Sequence, residues 1–202
     1  MASQVAHIIY AKKYFEKYPS AEIKKDLFFL GSIFPDIRRI DETIKRKDTH
    51  LRFAPLNLNF QGLDSFQAGW KFHLYCDMKR DEILRNAKFY EKISSHSDLP
   101  PKLMEDELVY DDYENWEKLV ALLNNPPEIK LDINASAESL HLWYAIVAHY
   151  FEKKPSEKTM RTFLVKQPSL VSRADEIIKS VAEIRANKGA VEILENIKNE
   201  IV

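Results

Sequence analysis

The stretch "GWKFHLYCD", residues 69–77, sets His73 and Asp77 four positions apart. On a helix that spacing places both side chains on one face, one turn apart. Trp70, Phe72, Leu74 and Tyr75 surround them, so the face is expected to point inward. An imidazole and a carboxylate carried into such a region either pair with each other or hold something between them. Three further residues upstream could join them: Asp36 in "FPDI", His50 in "DTHLRF" and His7 in the first helical segment. Two imidazoles and two carboxylates suit a borderline divalent cation, zinc above all, with manganese and iron also compatible. His73 and Asp77 would supply two ligands from one rigid element, which reduces the entropy lost in closing the site.

Each of these residues also has an ordinary structural explanation. A histidine on an apolar face is more often a hydrogen-bonded core residue, a His–Asp pair at helical spacing an ion pair, and Pro-Asp a turn. What favours a metal is that the signals occur together. An ion held by Asp36, His50, His73 and Asp77 can keep a position open for water and bring that water's pKa towards neutrality. Charge growing on a phosphoryl oxygen then needs a positive neighbour. Arg38 and Arg39 follow the Pro-Asp, and Arg52 follows the Thr-His. Arg52, two residues after a proposed ligand, is the first choice, Arg38 the second, and Arg39 is expected on the solvated surface. Asp77, Arg52 and Arg38 are thus the candidate catalytic residues. No general acid stands out, with Asp48 and the acidic cluster at 105–114 as the candidates.

The elements that must position these groups read as helices throughout. Glycine is scarce, four in all, and most of the nine prolines fall at breaks between periodic segments. Residues 4–18 have helical periodicity, and Ser20 can cap a second helix, 21–34, which Pro35 ends. Residues 37–63 look irregular. Asp64 or Ser65 can cap a helix to about Arg80, and a separate one follows over 81–93. A long acidic helical stretch is expected over 102–124, and within it the run "EDELVYDDYENW", residues 105–116, reads as a solvated face with Leu108, Tyr110, Tyr113 and Trp116 partly buried. An apolar helix at 135–154 is expected at the centre of the core, with His141 and His149 packed beside Trp143 and Tyr150. Segments 169–186 and 189–201 close the chain. No strand alternation persists, so the fold class is all-α, with about eight helices in a single domain over 1–202.

In order along the chain, "HIIYA", "FFLGSIFPDI", "THLRF" and "FQAGWKFHLYCD" resemble the zinc-dependent phospholipase C family and, more distantly, the single-strand-specific zinc nucleases of the same superfamily. The family pattern is an early His, a Pro-Asp after a hydrophobic helix, a Thr-His, and G-x-x-x-H-x-x-x-D, here Gly69, His73 and Asp77. The resemblance covers residues 5–80, and the rest of the chain carries no recognisable motif. It implies a phospholipase C/nuclease-like helical bundle and a metal-dependent hydrolase of phosphoric esters. It implies Asp36, His50, His73 and Asp77 as ligands of one zinc ion, Asp77 as a bridge to a neighbouring ion, and His7 as a ligand of that neighbour. Gly69 would let another helix or the substrate come close. The chain departs from the pattern twice. Secreted members use the amine of a mature N-terminal Trp as a ligand, whereas this sequence begins Met-Ala. The H-x-x-x-E pair of a third ion is absent, so one or two ions are expected rather than three.

Bulk composition bounds the rest. Thirty basic against 31 acidic residues leave a net charge of −1, which gives no extended nucleic-acid track. Cys76 is the only cysteine, so no intramolecular disulfide can form and a reducing compartment is expected. No window approaches a membrane span and no secretory signal is evident, so a cytoplasmic protein acting on a small phosphoester is the reading. The alternative is a degenerate, non-catalytic relative that keeps the helical scaffold and at most one structural ion, and acts as a binding or interaction protein. An HD-type phosphohydrolase is excluded because none of the six histidines is followed by Asp.

Overall fold

The computed structural model describes residues 4–19, 22–94 and 97–202. The chain is all-helical, with no strand among the described residues. The expected Ser20 cap and the middle of the "SSHSDLPP" break lie outside the described residues.

Helix α1 (Gln4–Lys17) runs first, followed by α2 (Lys25–Ile33). Six successive residues of α2, Phe28 to Ile33, are all buried. A helix that is buried all round belongs at the centre of a core, and α2 lies between α1, α4 (Ser65–Asn86) and α6 (Trp116–Asn124). Pro35 does not stop the chain from turning. It opens a 3-10 segment, Phe34–Arg39, because a residue without an N–H is tolerated in a first turn. The irregular stretch that follows contains one short helix, α3 (Arg46–Thr49).

Helix α4 is one element of 22 residues where two were expected. Neither Gly nor Pro interrupts it beyond Arg80, and Arg80 itself is buried there against Glu105. Asp64 caps its start, accepting from Gln67 N–H at 2.8 Å while Gln67 Oε1 accepts from Asp64 N–H at 3.2 Å. The crossing of α2 and α4 needs two glycines. A Cβ on Gly69 would lie 2.1 Å from the Phe28 carbonyl oxygen, and one on Gly31 would lie 2.0 Å from that of Phe66. The close approach expected at Gly69 is therefore made by a helix.

The acidic stretch is split into α5 (Leu99–Val109), a 3-10 turn and α6. It is also not simply a solvated face. Glu105 and Asp106 are fully buried, Glu105 with Arg80 and Asp106 accepting from Ala6 N–H at 2.9 Å. Helix α7 (Ala137–Phe151) is central as expected, with Trp143, Tyr144 and Phe151 buried. Its histidines are not. His141 is exposed and bonds the Ala137 carbonyl of its own helix, and His149 is exposed beside Glu152. Both sit on the solvent side of a helix whose apolar stripe carries the aromatic residues. Helices α8 (Glu157–Val165), α9 (Ala174–Ala186) and α10 (Lys188–Glu200) pack around α5 and α7. Helix α8 has its own Ser156 cap and was not expected from the sequence. Buried side chains from both ends of the chain, Val5 to Ile201, form one hydrophobic cluster. No helix of the described residues is long and apolar enough to cross a membrane.

Candidate metal centre

Four segments converge on one buried point. Helix α1 brings Gln4 and His7, the 3-10 turn brings Asp36, the end of α3 brings His50, and α4 brings His73 and Asp77. His7, Asp36 and His73 are at most 1% exposed, and the side chains of His50 and Asp77 are 3% and 16% exposed.

The local sequence explains how each group is aimed. The carbonyls at the end of an α-helix lack intrahelical donors. Here, where α2 passes into the 3-10 turn, side chains take them up. Trp143 Nε1 donates to Ile33 O at 3.0 Å, Tyr144 Oη to Leu30 O at 3.2 Å, and His73 Nδ1 lies 2.8 Å from Ser32 O. A carbonyl only accepts, so Nδ1 of His73 carries the proton. Burial pushes the His73 pKa down to about 3. The ring is thus neutral, with its Nε2 lone pair directed at the carboxylates. His50 is also held neutral by burial, down to about 3, and its Nδ1 is 2.9 Å from the Thr49 hydroxyl. Asp106, reaching across from α5, accepts an N–H in the first turn of α1 and so fixes that helix end, with Gln4 and His7, beside the site.

The distances answer the question raised by the His–Asp spacing. His73 Nε2 is 3.8 Å from Asp77 Oδ2, and His50 Nε2 is 4.0 Å from the same oxygen and 3.7 Å from Asp36 Oδ1. These separations are too long for hydrogen bonds. Nε2 of both His50 and His73 is buried without a hydrogen-bond partner. Donors about 2.0–2.1 Å from a common tetrahedral ion lie roughly 3.4 Å apart, slightly less than these separations, and Asp36, His50 and His73 form one group close enough to share an ion, with His7, His73 and Asp77 a second. A bare imidazole nitrogen facing a carboxylate oxygen is repulsive unless a cation stands between them. The residues present therefore fit a divalent metal.

The electrostatics agree. Burial favours the neutral form of Asp77, yet the Lys102 ammonium beside Oδ1 holds its carboxyl well below the usual carboxylate range. Asp36 is likewise held well below that range against its burial, with Arg39 among the positive charges responsible. Gln4 Nε2 donates to Asp36 Oδ2 at 2.8 Å and fixes that carboxylate. His7 lies on the far side, its ring stacked on His73 at a centroid distance of 4.1 Å and its Nε2 4.0 Å from Asp77 Oδ1.

All five expected ligands are brought together: Asp36, His50, His73, Asp77 and His7. The arginines divide differently. Arg38 stands at the site, its guanidinium 3.9 Å from Asp36 Oδ1. Arg52 is exposed on the extended segment after α3. Arg39, expected at the surface, is buried at the end of the 3-10 segment, where its charge acts on Asp36. Asp48 is taken up in capping α3, where its carboxylate accepts from Lys45 N–H at 2.7 Å. Sequence reasoning missed Lys102, Gln4 and the Ser32 carbonyl. A lysine that follows "DLPP" has no signature of its own, and a main-chain acceptor leaves none in any sequence.

Comparison of the chain with protein-family models, with curated proteins and with solved structures gave no match.

Proposed function

We propose that this chain is a metal-dependent hydrolase of phosphoric esters, related in fold and in chemistry to the zinc-dependent phospholipases C. The observation that carries the reading is the aim of the His50 and His73 nitrogens. Both are neutral and buried; His50 Nε2 lies 3.7 and 4.0 Å from oxygens of Asp36 and Asp77, carboxylates from separate segments, and His73 Nε2 lies 3.8 Å from Asp77. The ordered motifs of residues 5–80 agree with it. Zinc is the metal the donor set fits best, with manganese or iron as substitutes.

A bound divalent ion would supply a Lewis acid and a water acidified towards neutrality. The remaining chemistry belongs to this chain's own residues. Asp36 and Asp77 supply anionic oxygens, and His50 and His73 neutral nitrogens. Thr49 and the Ser32 carbonyl orient the two rings through Nδ1. Arg38, beside Asp36, can turn its guanidinium to a phosphoryl oxygen, and it is better placed for this than Arg52. The substrate class in this reading is a small phosphoester.

A second reading draws on one observation, the depth of the cluster. Asp77, with a side chain 16% exposed, is the most open of the five ligands. Such a closed centre also suits a structural ion in a non-catalytic relative. Elemental analysis of the purified protein, together with hydrolysis of bis(p-nitrophenyl) phosphate, tests both. The enzyme reading expects bound metal and hydrolysis that falls on the order of 100-fold or more with EDTA or His73→Ala. Metal without hydrolysis establishes the second reading, and protein that takes up no metal overturns both.

A further inference from the structure

We infer that the Lys102 ammonium takes the place of a second cation at this centre, so that the chain holds one divalent ion and not two. The inference rests on the metal reading above and goes beyond it by fixing the stoichiometry through a residue outside the ligand set.

Two overlapping groups of donors could each hold an ion: Asp36, His50 and His73, and His7, His73 and Asp77. They share His73, whose Nδ1 is committed to the Ser32 carbonyl. Only Nε2 is left to donate, and one nitrogen lone pair serves one ion. Asp77 divides the space between the groups. Its Oδ2 faces His50 and His73, while its Oδ1 faces His7. An ion among Asp36, His50, His73 and Asp77 Oδ2 would leave His7 Nε2 and Asp77 Oδ1 as the ligands of a second.

Lys102 closes that second place. Its ammonium bonds directly to Asp77 Oδ1. The residue is 3% exposed and sits in the first turn of α5, behind Pro100 and Pro101. It is not a surface lysine that an arriving ion would displace into water. Moving it off Asp77 would break a charge contact inside the protein, which is costly in a low-dielectric interior. An ammonium has three donors and no lone pair. It can neutralise the bridging oxygen as a metal would, yet it supplies no ligand and activates no water.

The experiment counts ions. Protein is loaded with excess Zn2+, freed of loose metal by gel filtration, and assayed for zinc per chain, with folding followed by circular dichroism. Wild type is expected to hold one ion. Lys102→Glu and Lys102→Gln remove the ammonium and offer an oxygen beside His7 and Asp77, and each is expected to hold two. The Mn2+-loaded wild type gives a readout that needs no variant. An isolated six-line spectrum is expected in electron paramagnetic resonance, and an exchange-coupled pair would overturn the inference. So would two ions in wild type, or one ion in both folded variants. A wild type with no ion would remove the metal reading itself, and this inference with it.

Discussion

At the scale of the residue, the centre stores neutral histidines where water would charge them. His50 and His73 have an ordinary pKa of 6.5, and burial pushes both down to about 3. Between those values the unfolded chain binds protons that the folded one refuses. Metal-free protein must then lose stability as pH falls from about 6.5 towards 3, by up to about 1.4 kcal/mol per pH unit for each histidine. Asp36 and Asp77, held well below 3.8, add a loss in the same direction but only at lower pH. Thermal melts of chelated protein are expected to be level above about pH 7 and to fall steeply below about pH 6. Melts that stay level down to pH 5 would contradict neutral burial. Thr49 makes a second case. Thr49→Val keeps the shape of a fully buried side chain and removes the hydroxyl beside His50 Nδ1. Metal affinity, read by competition with a chromophoric chelator, is expected to weaken about 10-fold with little change in fold. Residue type and order are what made the five candidate ligands legible in the sequence. Lys102 and Gln4 were not legible, because their roles follow from burial and position alone.

At the scale of the element, the site depends on how closely α2 and α4 can lie. Gly31 and Gly69 face each other's helix backbones, and a methyl group on either would meet a main-chain carbonyl at about half the normal contact distance. Neither carbonyl can yield without moving its helix. Gly69→Ala is therefore expected to cost about 3 kcal/mol in urea unfolding, at the upper end of overpacking effects. It should also weaken metal binding, since His73 and Asp77 ride on the same helix. A variant with unchanged unfolding would show that the helices can part at no cost. Helical periodicity revealed most of these elements. It placed a boundary inside α4 that does not exist, because Arg80 looks like the polar end of a helix until Glu105 is found against it. It passed over α8, which is short and depends on its Ser156 cap.

At the scale of the whole molecule, the stretch without a recognisable motif completes the centre. Asp106 holds the start of α1, Lys102 holds Asp77, and Trp143 and Tyr144 occupy carbonyls at the end of α2. An ion bound across these segments binds the folded chain and not the unfolded one. At free metal about 1,000-fold above Kd it would contribute about 4 kcal/mol, on the order of 10 °C in Tm for a chain of this size. Chelation is expected to lower the melting temperature by that order, as read by calorimetry, and an unchanged melt would count against an ion at this junction. The all-helical class was legible from scarce glycine and sustained periodicity. The convergence of distant segments was not, since nothing local records which helix a lysine or a carboxylate will meet.

The oxygen that orients His73 belongs to the main chain at position 32, so it is present whatever side chain stands there. Exchanging Ser32 cannot delete it. What can remove it is a change in the path of the backbone. A helix that ran on without the 3-10 turn opened by Pro35 would deliver the Asp36 N–H to that same oxygen. The imidazole would then lose its anchor to the N–H of a neighbouring candidate ligand. The fragile point of the candidate site thus lies in a proline that supplies none of its possible ligands.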